Sequence, residues 1–309
     1  MTRPNSLERI RRRLINRHEW QLYLFILPVV IYFIILHYVP MYGIVIAFKR
    51  YSVSRGILES PWVGLLYFEK FFSSAMFGRL TWNSILLSFY QLLAFFPFPL
   101  VLALMLNYAN RKGMKAFAQT VTYAPHFISI VVLVGMMFLF GSPTSGLANM
   151  ILRRFGVESI NFMGSNAWFP HLFVFSHVWQ NTGYQAIIFL ASLTAVDLSL
   201  YEAATIDGAT KLQKIIHIDI PAIMPTIVTL LLLQVGRMLN VDTQKALLMQ
   251  TALNLDASEI FGTYVYKIGL IDAQFSYSTA INLFQNAINL FLLVAVNAAS
   301  RRITRESLW

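Results

Sequence analysis

Two groups of side chains in this sequence have the composition of a binding wall. Trp179, Gln180, Asn181, Tyr184 and Gln185 fall close together, and amides beside aromatics suit a sugar's hydroxyls and the apolar faces of its ring. Asn282, Gln285, Asn286 and Asn289 recur at helical spacing and give one helix an amide-bearing stripe. Amides avoid lipid, so the stripe is either the wall of a solute pathway or interhelical glue. Tyr123 and His126, in Tyr123-Ala-Pro-His126, join the candidates, as do Arg237 and Asn240. Arg237 and Lys245 are ionisable groups in an apolar stretch, where such groups face a cavity or pair. Pairing with Asp242 neutralises one of them and leaves a cation for an anionic or strongly hydroxylated solute. Snorkelling toward a helix end is the competing reading.

Other chemistries are poorly represented. The six histidines are scattered without ligand spacing, which argues against a metal site, and the absence of cysteine excludes disulfides, thiolate sites and a Cys nucleophile. No Gly-x4-Gly-Lys-Ser/Thr phosphate loop occurs, so any ATP must be bound by another chain. A membrane-embedded enzyme lacks a convergent acid, base or metal set. The net charge of +10 is dispersed along an apolar chain, which fits membrane topology and anionic lipid rather than nucleic acid.

The elements that must position these residues follow from composition. Of 309 residues 57% are hydrophobic and only 12% charged, with mean hydropathy +0.60, the profile of a polytopic membrane protein. Apolar runs of about 20 residues or more match a hydrocarbon core of roughly 30 Å crossed by helices. Six spans are expected, near 22–46, 85–106, 117–140, 172–196, 222–249 and 280–299, in one undivided transmembrane domain. Pro28 and Pro40 kink the first, and Pro97 and Pro99 interrupt the second. The basic start, Arg3 to Arg17, leads into an uncleaved first span. With both termini inside, 14 Lys and Arg lie on inner segments against 8 on outer ones, which supports a cytoplasmic placement of the termini and of the loop 197–221.

That loop interrupts two long apolar spans with small and polar residues. Asp197 is placed to cap a short helix over 200–209, on which Ala204 and Gly208 share a face that a partner can approach closely. Glu202 projects beside it as a fixed charge, while Pro221 and Pro225 end the segment.

Glu202-Ala203-Ala204, Gly208, Ile218 and Ile220-Pro221 resemble the signature of permease subunits of binding-protein-dependent ABC importers, with Ile220 where Leu is usual. Tyr38-Val-Pro-Met-Tyr-Gly-Ile-Val-Ile-Ala-Phe48, Ser60-Pro-Trp-Val-Gly64, Tyr123-Ala-Pro-His-Phe-Ile-Ser129, Thr263-Tyr-Val-Tyr266 and Ser307-Leu-Trp309 look like the oligo- and polysaccharide branch, related to the larger maltose-system permease. The resemblance implies an all-α, six-helix type I permease fold in the bacterial cytoplasmic (inner) membrane, with no enzymatic activity and no cofactor of its own. It implies a second, homologous permease, two cytosolic ATPase subunits carrying ATP and Mg, and an extracellular or periplasmic sugar-binding protein as partners. It also implies that the loop forms a coupling helix seated on the ATPase through Glu202, Ala203, Ala204, Asp207 and Gly208, with Ile218 and Pro221 completing the signature. Between Asn240 and Lys245 the branch's usual aromatic and acidic residues are replaced, and Arg237 stands where a small residue is common, which makes an acidic saccharide such as a uronate oligomer a reasonable cargo. A stand-alone secondary transporter or channel for a polar solute is the alternative.

Overall fold

The computed structural model describes residues 20–303; the basic stretch through Arg17, together with Arg305 and Ser307-Leu-Trp309, lies outside them. The described residues are mostly helical, with two isolated β-bridges and no strand. In lipid a backbone amide has no partner but its own helix. Three helical segments are long and apolar enough to cross a membrane, or up to six when each bent pair counts as one span.

The first span, Gln21–Phe48, joins α1 (Trp20–Phe33) through a π turn to a 3-10 stretch, Tyr42–Phe48. Its most apolar window buries nothing against the rest of the chain, and only the 3-10 end packs on the last helix. The second, Ala75–Asn107, extends the expected 85–106 and consists of α2 (Ala75–Phe95) and α3 (Pro97–Asn107). Pro97 occupies the first turn of α3, where a missing N–H is tolerated, so the span continues through it.

The third span departs from the expected continuous helix 117–140. α4 (Lys112–Tyr123) and a 3-10 turn through Phe127 meet α5 (Ile130–Phe140) at 97°. Pro125 cannot donate within the turn, Ile128 is extended, and the Ser129 hydroxyl caps α5 by accepting the Val132 N–H at 3.4 Å. The fourth, α6 (Trp168–Thr194), turns by 73° into α7 (Leu198–Ile206).

The fifth region corrects the expectation of one span over 222–249. After α8 (Lys211–Lys214) and a π turn, Ile215–Asp219, the chain bends by 63° into α9 (Met224–Val235), which ends at Gly236. Arg237 and Asn240 lie in the non-helical stretch that follows, and α10 (Thr243–Met249) is a separate helix packed on α5. Asp242 opens α10 by accepting the Lys245 backbone N–H at 3.0 Å. Its carboxylate makes no ion pair with Arg237 or Lys245 among the described residues, so the expected neutralisation is absent. Beyond α11 (Phe261–Tyr266), the last helix, α12 (Phe275–Ile303), contains the expected 280–299.

Three apolar clusters hold these pieces. Leu87, Phe95, Val134, Phe173, Val178, Ala246 and Met249 join α2, α5, α6 and α10. Phe71, Leu80, Phe261, Tyr277 and Ile281 gather near the starts of α2 and α12. Ala103, Ala186, Phe189, Leu193 and Ile223 close the end of the bundle that carries α7.

Candidate functional site

Breaking a helix inside an apolar bundle frees backbone groups that must find other partners. At the 97° break the Gln180 amide donates to Ile128 O at 2.8 Å from within α6, and Gln180 is buried. At the end of α9 the last helix does the same work twice. Asn289 Oδ1 accepts the Leu239 N–H at 3.0 Å, and Gln285 Nε2 donates to Leu239 O at 2.7 Å. Both amides also donate to Asn240 Oδ1 at 3.1 Å. Gln180, Gln285 and Asn289 are therefore committed to the breaks. Asn282 and Asn286 sit on the exposed neighbouring face, joined to each other at 3.4 Å. Half-exposed Trp179 also faces away from the core.

The remaining candidates converge. The His126 ring stacks flat on Tyr184 at 3.9 Å, and its Nδ1–H donates to Asn181 Oδ1 at 3.1 Å. Asn181 in turn donates to His177 Nδ1 at 3.3 Å and to His177 O at 3.1 Å. Tyr123 lies beside Gly183, where a Cβ would stand 2.0 Å from Thr122 O and 2.9 Å from the Tyr123 ring. Only glycine lets α4 and α6 approach this closely, and that approach brings His126 onto Tyr184.

His177 links this cluster to a cavity of about 360 Å³ between α2, α6 and the end of α9. Its polar lining comprises Ser88, Gln91, His177, Gln185, Gln234, Arg237 and Asn240. Arg237 is exposed and in no ion pair among the described residues. Ser88, Gln91 and Gln234 carry no sequence signal, since each is a lone polar residue in an apolar run. Lys245 contributes differently from expectation. It is fully buried, with Nζ donating to Phe173 O at 2.7 Å and lying 4.7 Å from that residue's ring. Among the described residues no group of His, Cys, Asp and Glu is arranged to hold a metal ion.

At the far end of α6 a second site is built on α7. Asp197 caps it by accepting the Ser199 N–H at 2.9 Å, and that bond holds the Asp197 carboxyl below the usual range. The helix begins at Leu198, two residues before the expected start, and ends at Ile206. Ala209 N–H donates to Ala204 O at 2.8 Å and Gly208 N–H to Thr205 O at 3.1 Å, with Gly208 at φ +74°. This is the reciprocal closure that favours glycine in the left-handed position. Gly208 therefore has a conformational reason beyond the small size read from the sequence. Glu202, Ala203, Asp207 and Gly208 are exposed, Ala204 and Ile218 half-buried, and Pro221 exposed. Ile206, 87% exposed, is an apolar side chain on this surface that the charge-and-small-residue pattern does not reveal.

A family model described as a binding-protein-dependent transport system inner membrane component matches residues 72–305. The polygalacturonan/rhamnogalacturonan transport system permease protein YteP of Bacillus subtilis (strain 168) is 42% identical over 301 residues, 97% of this chain and 94% of that one. Among solved structures, a bacterial ABC transporter involved in the import of the acidic polysaccharide alginate contains a chain 35% identical, with TM-score 0.88, over 96% of this chain and 99% of the other. A second structure, the bacterial alginate ABC transporter in complex with an alginate pentasaccharide-bound periplasmic protein, matches at 34% identity and TM-score 0.88, over 99% of this chain and 100% of the other.

Proposed function

This chain belongs to the family of binding-protein-dependent transport system inner membrane components, and on that premise we propose that it passes an acidic oligosaccharide through a bacterial cytoplasmic membrane. It is the non-enzymatic permease subunit of a saccharide ABC importer, a multi-pass membrane protein with the type I permease fold. Membership in a multi-subunit importer family leaves the stand-alone transporter or channel without support.

The observation that carries the cargo's charge is Arg237. It stands exposed on a cavity whose other polar residues are amides, a hydroxyl and a histidine, with no carboxylate in an ion pair with it among the described residues. A guanidinium forks onto a carboxylate with two parallel hydrogen bonds, and uronate residues carry one carboxylate per ring. The flat His126–Tyr184 stack, linked through Asn181 to His177, supplies a rigid aromatic and amide wall for sugar faces and hydroxyls. A polygalacturonan/rhamnogalacturonan transport system permease and a transporter involved in the import of the acidic polysaccharide alginate are among the similar proteins, and polymers of uronate carry this charge.

The same reading gives the chain its partners. The unburied first span fits a helix that packs on a second permease. A saccharide-loaded binding protein docks on the outer side; the alginate transporter is in complex with an alginate pentasaccharide-bound periplasmic protein. Two cytosolic ATPases, carrying ATP and Mg, receive α7 through Glu202, Ala203, Ala204, Asp207 and Gly208, with exposed Ile206 adding apolar contact. Closure of the ATPases moves α7, and the bundle alternates its access.

The test is uptake by the full complex in proteoliposomes, comparing a uronate oligomer with a neutral oligosaccharide. Arg237→Gln is expected to lower uronate uptake about tenfold, the loss of one charge-assisted contact, while leaving neutral uptake unchanged. An equal effect on both cargoes, or none on uronate, overturns the assignment.

A further inference from the structure

The signature residues Ile218 and Ile220 bracket Asp219, a residue to which the resemblance gives no role. Asp219 is fully buried, and an isolated carboxylate in such a place is strongly unfavourable unless hydrogen bonds replace its water. Two do. Tyr108 Oη donates to Asp219 Oδ2 at 2.7 Å, and Tyr201 Oη donates to Asp219 Oδ1. Burial, followed by the bond to Asp219, pushes both phenols well above their ordinary range, so both remain protonated donors.

The three residues come from three elements. Tyr108 follows α3 at the end of the second span, Tyr201 is on α7, and Asp219 ends the π turn that leads toward α9. Single π turns occur frequently at functional positions in helices. α7 itself contributes no buried residue to the bundle. Among the described residues its side-chain hydrogen bonds to other elements are Tyr201 Oη to Asp219 and Lys214 Nζ to Thr205 Oγ1 at 2.7 Å, and Tyr108 joins the same carboxylate from the end of α3. A cavity of about 350 Å³, lined by Asn107, Tyr108, Leu193 and Tyr201 among others, lies beside the two tyrosines. α7 is thus held by few links, with open space beside Tyr201.

We infer that Asp219, with Tyr108 and Tyr201, is the joint through which displacement of α7 is passed to the second and fifth spans. Asp219 is a positioning residue: it touches neither cargo nor nucleotide and acts by making α7, the end of α3 and the foot of α9 move together. The inference rests on the permease reading above. A partner pressing on the exposed face of α7 moves Tyr201, and the shared carboxylate carries that movement to both spans. Without the clasp, α7 shifts alone and ATP is hydrolysed without transport.

The experiment uses the complete importer in proteoliposomes and measures uronate oligomer imported per ATP hydrolysed, together with hydrolysis without cargo and the amount of ATPase retained on purification. The variants are Tyr201→Phe, Tyr108→Phe and their combination, which keep the rings and remove only hydroxyls, and Asp219→Leu. Tyr201→Phe is expected to lower the import-to-hydrolysis ratio about tenfold, the scale of one hydrogen bond to a charged group, with ATPase retention unchanged. The double variant is expected to lose less than the product of the single losses, because both hydroxyls act through one carboxylate. An unchanged ratio in Tyr201→Phe overturns the inference even if the unfolding midpoint falls, since the clasp then only stabilises the fold. Loss of ATPase from Tyr201→Phe complexes in step with transport also overturns it, because the residue then holds the assembly together. If Asp219→Leu fails to fold, the tyrosine variants decide. Failure of the unaltered complex to import any saccharide counts against the permease reading instead.

Discussion

Gly183→Ala adds one methyl group at the closest helix approach in the candidate pathway. The new Cβ would lie 2.0 Å from Thr122 O and 2.4 Å from Thr122 C, where ordinary contact begins at 3.4 Å. Both atoms belong to helix backbone, so neither can rotate away, and α4 and α6 must separate by about 1 Å. A displacement of that size carries the 3.1 Å bond from His126 to Asn181 beyond hydrogen-bond range and loosens the 3.9 Å stack on Tyr184. Overpacking of this kind costs about 1–3 kcal/mol, and the lost hydrogen bond about 1 kcal/mol more. The assay is the thermal unfolding midpoint of the purified complex in lipid nanodiscs, with saccharide uptake measured in parallel. Gly135→Ala is the control, because Gly135 lies within α5 and its added Cβ meets nothing within 4 Å. The expectation is a clear fall in midpoint and uptake for Gly183→Ala and none for Gly135→Ala. Equal behaviour of the two variants would refute the close-approach argument.

Removing either amide that satisfies Leu239, by Gln285→Leu or Asn289→Leu, is expected to cost about 1–3 kcal/mol in the same midpoint. The paired variant should be less than additive because both amides share Leu239 and Asn240; strict additivity would count against a common staple. Lys245→Met removes a fully buried cation at similar volume, so the midpoint should hold or rise, and a large fall would show that the amine stabilises the fold. Gly208→Ala strains a left-handed residue by about 1 kcal/mol and should lower stability slightly. Gly208→Trp places bulk on the open side of α7 and is expected to abolish transport with membrane insertion intact; retained uptake contradicts the docking of α7 on an ATPase.

Lone residues at the cavity and at the helix contact carry no sequence signal. Ser88, Gln91 and Gln234 enter the cavity as isolated polar side chains, and Gly183 is an unremarkable glycine between Thr182 and Tyr184. Clustered residues were easier. The His126, Asn181 and Tyr184 candidates do meet, although they occur in two separate stretches. The amide stripe is legible as a stripe, but its division into Gln285 and Asn289 at the break and Asn282 and Asn286 outside it is not.

By itself the sequence determined what local chemistry dictates. Apolar run length required membrane-crossing helices, Asp197 marked the start of α7, and the small residues and prolines around Glu202 marked a segment unlike its neighbours. Tertiary structure decided which backbone groups were left without helix partners and which distant side chains took them. Leu239 is completed by residues of α12, Ile128 by Gln180, and the Asp219 carboxylate by Tyr108 and Tyr201. Periodicity specifies which face of a helix is polar, whereas the group opposite that face is fixed only when the bends at Ile128, Ile223 and Gly236 set the helices against one another.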